Sequence, residues 1–300
     1  MSAVASKDLS GEKKQLFGFL NIYKPVGMTS HDVVAVLRRV TKIKQIGHAG
    51  TLDPFAEGVL PICVGKATRL IEYLQDDKEY LATVQFGAST NTFDLDGEKT
   101  SVYDKKVTKS EVEEGLKAFQ GEISQLPPIF SAIKVKGKKL YEYARKGEEV
   151  EIQPRKVVIE NIELKAFDEE NQQAQILIKC SKGTYIRSIA NDLGQNLGCG
   201  GYLVKLIRTQ AGSFRVENSA QLDGIEVEKN IVNPLAVLSL PKIAISDEDL
   251  ARIKNGMPIE FLSREDVEFG NFVILVYNDV EICAVGVADG NKIKLKKVFL

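Results

Sequence analysis

Gly47-His48-Ala49-Gly50-Thr51-Leu52-Asp53-Pro54 is the stretch on which the fold and chemistry of this chain turn. Glycine at 47 and 50 with proline at 54 excludes regular helix or strand, and an aspartate ahead of a proline favours a turn. Taken alone, the run is a bend that holds one acid side chain, more often a turn than a catalyst. Its flanks decide between the two.

Upstream, residues 16–23 (Leu-Phe-Gly-Phe-Leu-Asn-Ile-Tyr) read as a buried strand ending at Lys24-Pro25. Thr29-Ser30 supplies an N-cap, and Val33, Val34, Val36, Leu37 and Val40 recur at helical spacing, so a helix is predicted over 31–40. Downstream, 60–64 is short and apolar, 67–74 returns to a helical pattern, and 80–86 alternates as a strand. After a polar loop over 87–97, residues 109–119 form an amphipathic helix that stops near Gly121, and Pro127-Pro128 imposes an extended segment.

Residues 157–167 and 174–180 look like neighbouring strands joined through an acidic turn at 168–171. A helix over 185–197 carries the stripe Ile186, Ile189, Ala190, Leu193 and Leu197, and Gly198 closes it. Strands and helices mix without regular βαβ alternation. The expected fold class is therefore α+β, with a mixed, largely antiparallel sheet. A second unit is expected from Pro241: a helix over 247–254, then strands over 272–277, 282–287 and 292–298 with Asn-Asp and Asp-Gly turns, the pattern of a small β-barrel. The expected division is a flexible polar tail over 1–15, a large domain over 16–240 and a small one over 241–300.

Composition bounds the function. The 300 residues are 44% hydrophobic and 27% charged, enough to bury a core without disulfides. Cys63, Cys180, Cys199 and Cys283 are scattered and far from both His31 and His48, so reduced thiols are expected rather than a zinc site. The first fifteen residues lack the apolar core of a signal peptide, and no apolar run is long enough for a membrane span, so a cytoplasmic protein is expected. Net charge is −1, yet residues 134–146 concentrate Lys134, Lys136, Lys138, Lys139, Arg145 and Lys146 against one acid, Glu142. Tyr141 and Tyr143 interleave them, as in surfaces that stack on unpaired bases.

Three motifs fail on inspection. Residues 58–66 resemble a phosphate loop, but the glycine spacing is wrong and Ala67 stands where a Ser or Thr belongs. Asp94-Leu95-Asp96-Gly97 hints at a calcium loop whose twelfth position would be Tyr103 rather than Glu. His31, at a helix start, reads as a capping or surface residue.

The run 47–54 resembles the active-site motif of the TruB family of tRNA pseudouridine synthases, and five further blocks follow the same family in order. They are Asn21-Ile-Tyr-Lys-Pro-Val-Gly-Met-Thr-Ser30; Lys78-Glu-Tyr80 with Gly87 through Gly97; Gln125-Leu-Pro-Pro-Ile-Phe-Ser-Ala-Ile-Lys134; Ser181-Lys-Gly-Thr-Tyr-Ile-Arg187; and Leu203-Val-Lys-Leu-Ile-Arg-Thr209. The C-terminal unit resembles the family's PUA-like RNA-binding domain. The resemblance implies a cofactor-free enzyme, of bacterial type, that isomerises uridine 55 in the tRNA T-loop after flipping it out of the stack, acting as a monomer on the T-arm.

By the same resemblance Asp53 is the catalytic carboxylate, as nucleophile or base, and Arg187 pairs with it to favour the ionised form. Tyr80 stacks on the target base, and Tyr185 contacts the flipped nucleotide as a candidate proton carrier. His48 fills the space the base leaves, and Leu206 is an apolar contact. The basic segment 134–146 is expected to be a flap ordered by tRNA. The competing readings are a tRNA-binding or tRNA-folding protein in which catalysis is secondary, and a hydrolase, for which a second carboxylate is wanting.

Overall fold

The computed structural model describes residues 16–261 and 267–300; the expected flexible tail over 1–15 lies outside them. Alternation of buried and outward side chains builds one large sheet. Its order is Ala220–Gln221, Gly18–Lys24, Glu57–Val64, Gly201–Ala211, Lys78–Phe86, Gln173–Cys180, Arg155–Asp168 and Gly121–Gln125. Two neighbouring pairs run parallel, Gly18–Lys24 with Ala220–Gln221 and Glu57–Val64 with Gly201–Ala211; the other neighbours along this order are antiparallel. The sheet is mixed and largely antiparallel, as its sequence pattern predicts.

Helix Ser30–Thr41 begins at Thr29, whose hydroxyl and the Asp32 carboxylate form a reciprocal capping box. It buries Val33, Val34 and Leu37 against Leu20, Ile22, Leu60 and Ile62. Val40, expected on that stripe, is 52% exposed, because it falls past the last turn that meets the sheet. Helix Ile186–Asn196 covers the other half, packing Ile189 and Leu193 with Tyr80, Val84 and Ile176. The segment expected as a helix over 67–74 is a 3-10 helix, Gly65–Tyr73, burying Ala67 and Leu70. All four cysteines are buried and free.

A second sheet orders Lys242–Ala244, Phe272–Tyr277, Glu281–Asp289, Lys292–Val298 and Ile259–Glu260 into a curled half-barrel. Asn278 and Asp279 both take positive φ, 49° and 60°, which is the backbone a tight hairpin turn needs. The two sheets share a core in which Phe19, Val59 and Phe214 meet Ile274, Val285 and Phe299. Lys66 also donates to the carbonyls of Phe299 and Leu300, at 2.8 and 3.0 Å.

The parallel seam between Glu57–Val64 and Gly201–Ala211 is short, pairing only Ile207 with Glu57 and Arg208 with Gly58. Gly58 has φ of 108°, and a Cβ there would stand 2.4 Å from the Arg208 carbonyl oxygen. Only glycine lets the strands approach this closely. The loop that carries Asp53 enters the sheet at this seam.

Candidate active site

The loop 49–56 is held by backbone and by buried polar side chains. Ala49 N–H donates to Pro61 O at 2.8 Å, and Ala56 N–H to Asp53 O at 3.1 Å. Ser30 Oγ accepts from Leu52 N–H at 2.9 Å. Arg208, fully buried, donates from Nε to Val59 O at 2.7 Å, from Nη2 to Gly50 O at 3.1 Å and from Nη1 to Thr51 O at 3.3 Å. Lys24, also fully buried, spends its three protons on Met28 O (2.6 Å), Pro25 O (2.8 Å) and Pro54 O (3.3 Å). Burial lowers the Lys24 pKa to about 8, opposed by the negative charge of Asp53. The bend is thus a rigid platform built on two buried cations, and the Asp53 side chain projects from it.

Asp53 Oδ2 lies 3.0 Å from Arg187 Nε. Arg187, in the first turn of Ile186–Asn196 and 5% exposed, also meets Asp94 Oδ2 at 3.2 Å through Nη1. The same guanidinium donates to Thr92 O at 3.2 Å and Phe130 O at 3.0 Å. Asp94 is fixed in turn by the Thr92 hydroxyl and by Asp96 N–H at 3.1 Å. Gln125, 2% exposed, clamps the start of this helix by accepting from Tyr185 N–H at 2.7 Å and donating to Tyr185 O at 3.0 Å.

Burial raises the Asp53 pKa above the ordinary carboxylate value; Arg187 opposes that rise and Asp94 adds to it. The expected pairing with Arg187 is therefore present, but the guanidinium is shared and burial wins. Because the negative charge of Asp94 pushes Asp53 upward, Asp94→Asn should move the acid limb of the kcat/KM profile to lower pH. A limb that stays put or moves up contradicts this coupling.

Asp53, Tyr80, Tyr185, Arg187 and Leu206 line one cavity of about 400 Å³. Tyr80 is buried at its wall, directly across the strand pairing from Arg208. Burial raises the pKa of both tyrosines. At Tyr185 burial thus favours the protonated phenol, against the opposing effects of Ser131 and Arg187. His48 is placed outside this lining, beyond Ala49 and Gly50. Its ring packs edge-on against His31, with centroids 5.2 Å apart and planes at 82°. Burial, then the neighbouring His31 and Arg208, lower its pKa and keep the ring neutral.

The basic segment is a small hairpin, Lys134–Val135 with Lys138–Lys139, followed by helix Leu140–Lys146. Tyr143 is buried, donates to Val135 O at 3.0 Å and lies under Lys138. It braces the hairpin and is not free to stack on a base. Tyr141 is flanked by Lys139 and Arg145.

Sequence reasoning gave no role to Lys24, Arg208 or Gln125, read Ser30 only as part of an N-cap, and weighed Asp94 only as a calcium ligand. A signal existed for Arg208: it shares the inward parity of Leu206 in an apolar strand, where a charge must find partners.

Fold and site together are those of a pseudouridine synthase. The family model for the TruB family pseudouridylate synthase (N terminal domain) matches residues 38–186, and that for the tRNA pseudouridylate synthase B C-terminal domain matches 187–233. The chain is similar to the tRNA pseudouridine synthase B of Caldanaerobacter subterraneus subsp. tengcongensis, 43% identical over 94% of this chain and 99% of that one. The protein of the same name from Carboxydothermus hydrogenoformans is 44% identical over 94% and 98%. Among solved structures, a chain of a Cbf5-Nop10-Gar1 complex superposes with a TM-score of 0.72 at 28% identity, covering 95% of this chain and 85% of that one. A chain of an H/ACA RNP bound to a substrate RNA containing 2'-deoxyuridine gives 0.70 at 26% identity, with the same two coverages. This chain belongs to the TruB family.

Proposed function

We propose that the enzyme converts uridine 55 in the T-loop of tRNA to pseudouridine, taking the nucleotide out of the stack into the cavity at Asp53. The observation that carries this is the Asp53 carboxylate, paired with Arg187 at 3.0 Å and opening on a cavity whose walls include Tyr80, Tyr185 and Leu206; the other acid of the lining, Asp76, is paired with Lys182. Extruding a base costs a few kcal/mol, which an aromatic and apolar wall offsets through stacking. In the reaction the N1–C1′ bond breaks, the uracil turns, C5 bonds to C1′, and the C5 proton is exchanged for one on N1. Nothing is oxidised or transferred away, so the chemistry calls for no cofactor. Asp53 serves as nucleophile or base; Tyr185, kept protonated, contacts the flipped nucleotide as a hydrogen-bond donor.

Residues 16–240 form the catalytic unit in this proposal, and 241–300 add RNA-binding surface. His48, with its neutral ring, takes the place vacated in the T-loop, and the segment 134–146 closes over bound RNA. The protein acts as a monomer in the cytoplasm. The test is to incubate it with an unmodified tRNA transcript and with one carrying cytidine at position 55, then map pseudouridine at single-nucleotide resolution. Modification at 55 in the first and at no position in the second is expected. Pseudouridine elsewhere with 55 untouched contradicts the target, and none anywhere contradicts the activity on tRNA.

A further inference from the structure

Between Asp32 and Asp53 the chain runs through residues 33–52 without a single acid, yet it carries Arg38, Arg39, Lys42 and Lys44. All four are exposed. Arg38 has a structural duty, donating from Nη2 to Ile46 O at 2.7 Å and so tying the end of helix Ser30–Thr41 to strand Ile46–His48. Arg39, Lys42 and Lys44 make no ion pair among the described residues. The segment 134–146 differs in carrying an acid, Glu142, among its cations; there Lys138 pairs with Glu148, and Lys139 and Arg145 lie over Tyr141. On a chain of net charge −1, four exposed cations over residues 38–44, in a stretch with no acid from 33 to 52, make a local concentration of positive charge.

Lys42 adds a second oddity. It ends the helix in the left-handed region, with φ of 61° and its N–H donating to Arg38 O, a position at which glycine is the favoured residue. A lysine here is a poor choice for folding. The run also leads straight into the site: Lys44 is four residues from His48, no more than about 13 Å even for fully extended chain.

We propose that Arg39, Lys42 and Lys44 form a phosphate-binding surface that grips the RNA backbone beside the flipped nucleotide. The inference rests on the proposed action on tRNA and adds to it a contact site for the strand flanking the target. Arg38 braces this surface on the strand that carries His48, so that backbone grip and the ring at the cavity's edge move as one unit. Contacts of this type position the RNA without reading sequence, and each releases counterions on binding.

The test compares wild type with Lys42→Gly and with the triple variant Arg39→Gln, Lys42→Gln, Lys44→Gln. Affinity for an unmodified tRNA transcript is measured across a salt series, alongside kcat, KM and Tm. Lys109→Gln, on helix Lys109–Leu116 and paired there with Glu113, serves as a control. Lys42→Gly should melt at or above wild type, because glycine relieves the left-handed backbone, while the slope of log affinity against log salt falls by about 1. The triple variant should lose about 3 from that slope and bind on the order of tenfold or more weakly at low salt, with the effect in KM rather than kcat. The control should keep the wild-type slope. An unchanged slope in a folded triple variant, while wild type binds and modifies the transcript, overturns this surface alone. Wild type that neither binds nor modifies the transcript overturns the proposed function instead.

Discussion

Arg187→Ala should cost about 3–5 kcal/mol of stability, a fall in Tm on the order of 10 °C, together with loss of activity. Arg187 is 5% exposed, and its guanidinium meets Asp53, Asp94, Thr92 O and Phe130 O. Removing it strands the Asp94 carboxylate, which is 6% exposed, and leaves two carbonyls without their donor. Stranding an ion is far worse than never having buried the pair. Arg187→Lys should recover little, since one ammonium cannot reach the directions served by Nε, Nη1 and Nη2. Because the stranded carboxylates can take up protons, the deficit should shrink as pH falls. Thermal or urea unfolding at neutral and acid pH checks this, and a variant that melts like wild type at pH 7 contradicts it.

Asp53→Asn is expected to behave in the opposite way. Activity should drop by on the order of 10⁴-fold or more, as when a group acting directly on the reacting atoms is removed, while Tm stays at or above wild type. Folding raises the pKa of Asp53. The folded protein therefore holds that proton more tightly than the unfolded chain. The stability it contributes is complete below the unfolded value and is lost as pH climbs through the folded one. Above the folded pKa the ionised carboxylate is a burden on the fold, and an amide of the same shape removes it. Arg187 retains Asp94 and its two carbonyl partners in that variant, so the loop and helix stay in register. A clear fall in Tm on Asp53→Asn would mean that this carboxylate is structural.

Much of this architecture was legible from periodicity. The valines and leucine of 33–37, the alternation over 80–86 and the paired strands around 168–171 are local patterns, and the structure places strands and helices there. Val40 and the 3-10 helix Gly65–Tyr73 were not legible, since their outcome depends on where the neighbouring sheet ends. At the site, Asp53 and Arg187 stood out because six ordered motif blocks framed them. Asp94 was weighed only as a calcium ligand, because nothing local says that a residue 93 positions further on will share its carboxylate. Lys24 and Arg208 were overlooked for a related reason. Their work is to hold the carbonyls of a loop, and backbone partners leave no mark in the identities of distant residues.

The most direct test of the central claim, that Asp53 is the acid on which the isomerisation depends, is single-turnover pseudouridine formation by wild type and Asp53→Asn. Both would be held at a protein concentration that saturates the same unmodified tRNA transcript. Equal occupancy by the two proteins, with pseudouridine forming at position 55 only with wild type, is the predicted result. Comparable modification by Asp53→Asn under those conditions would contradict it.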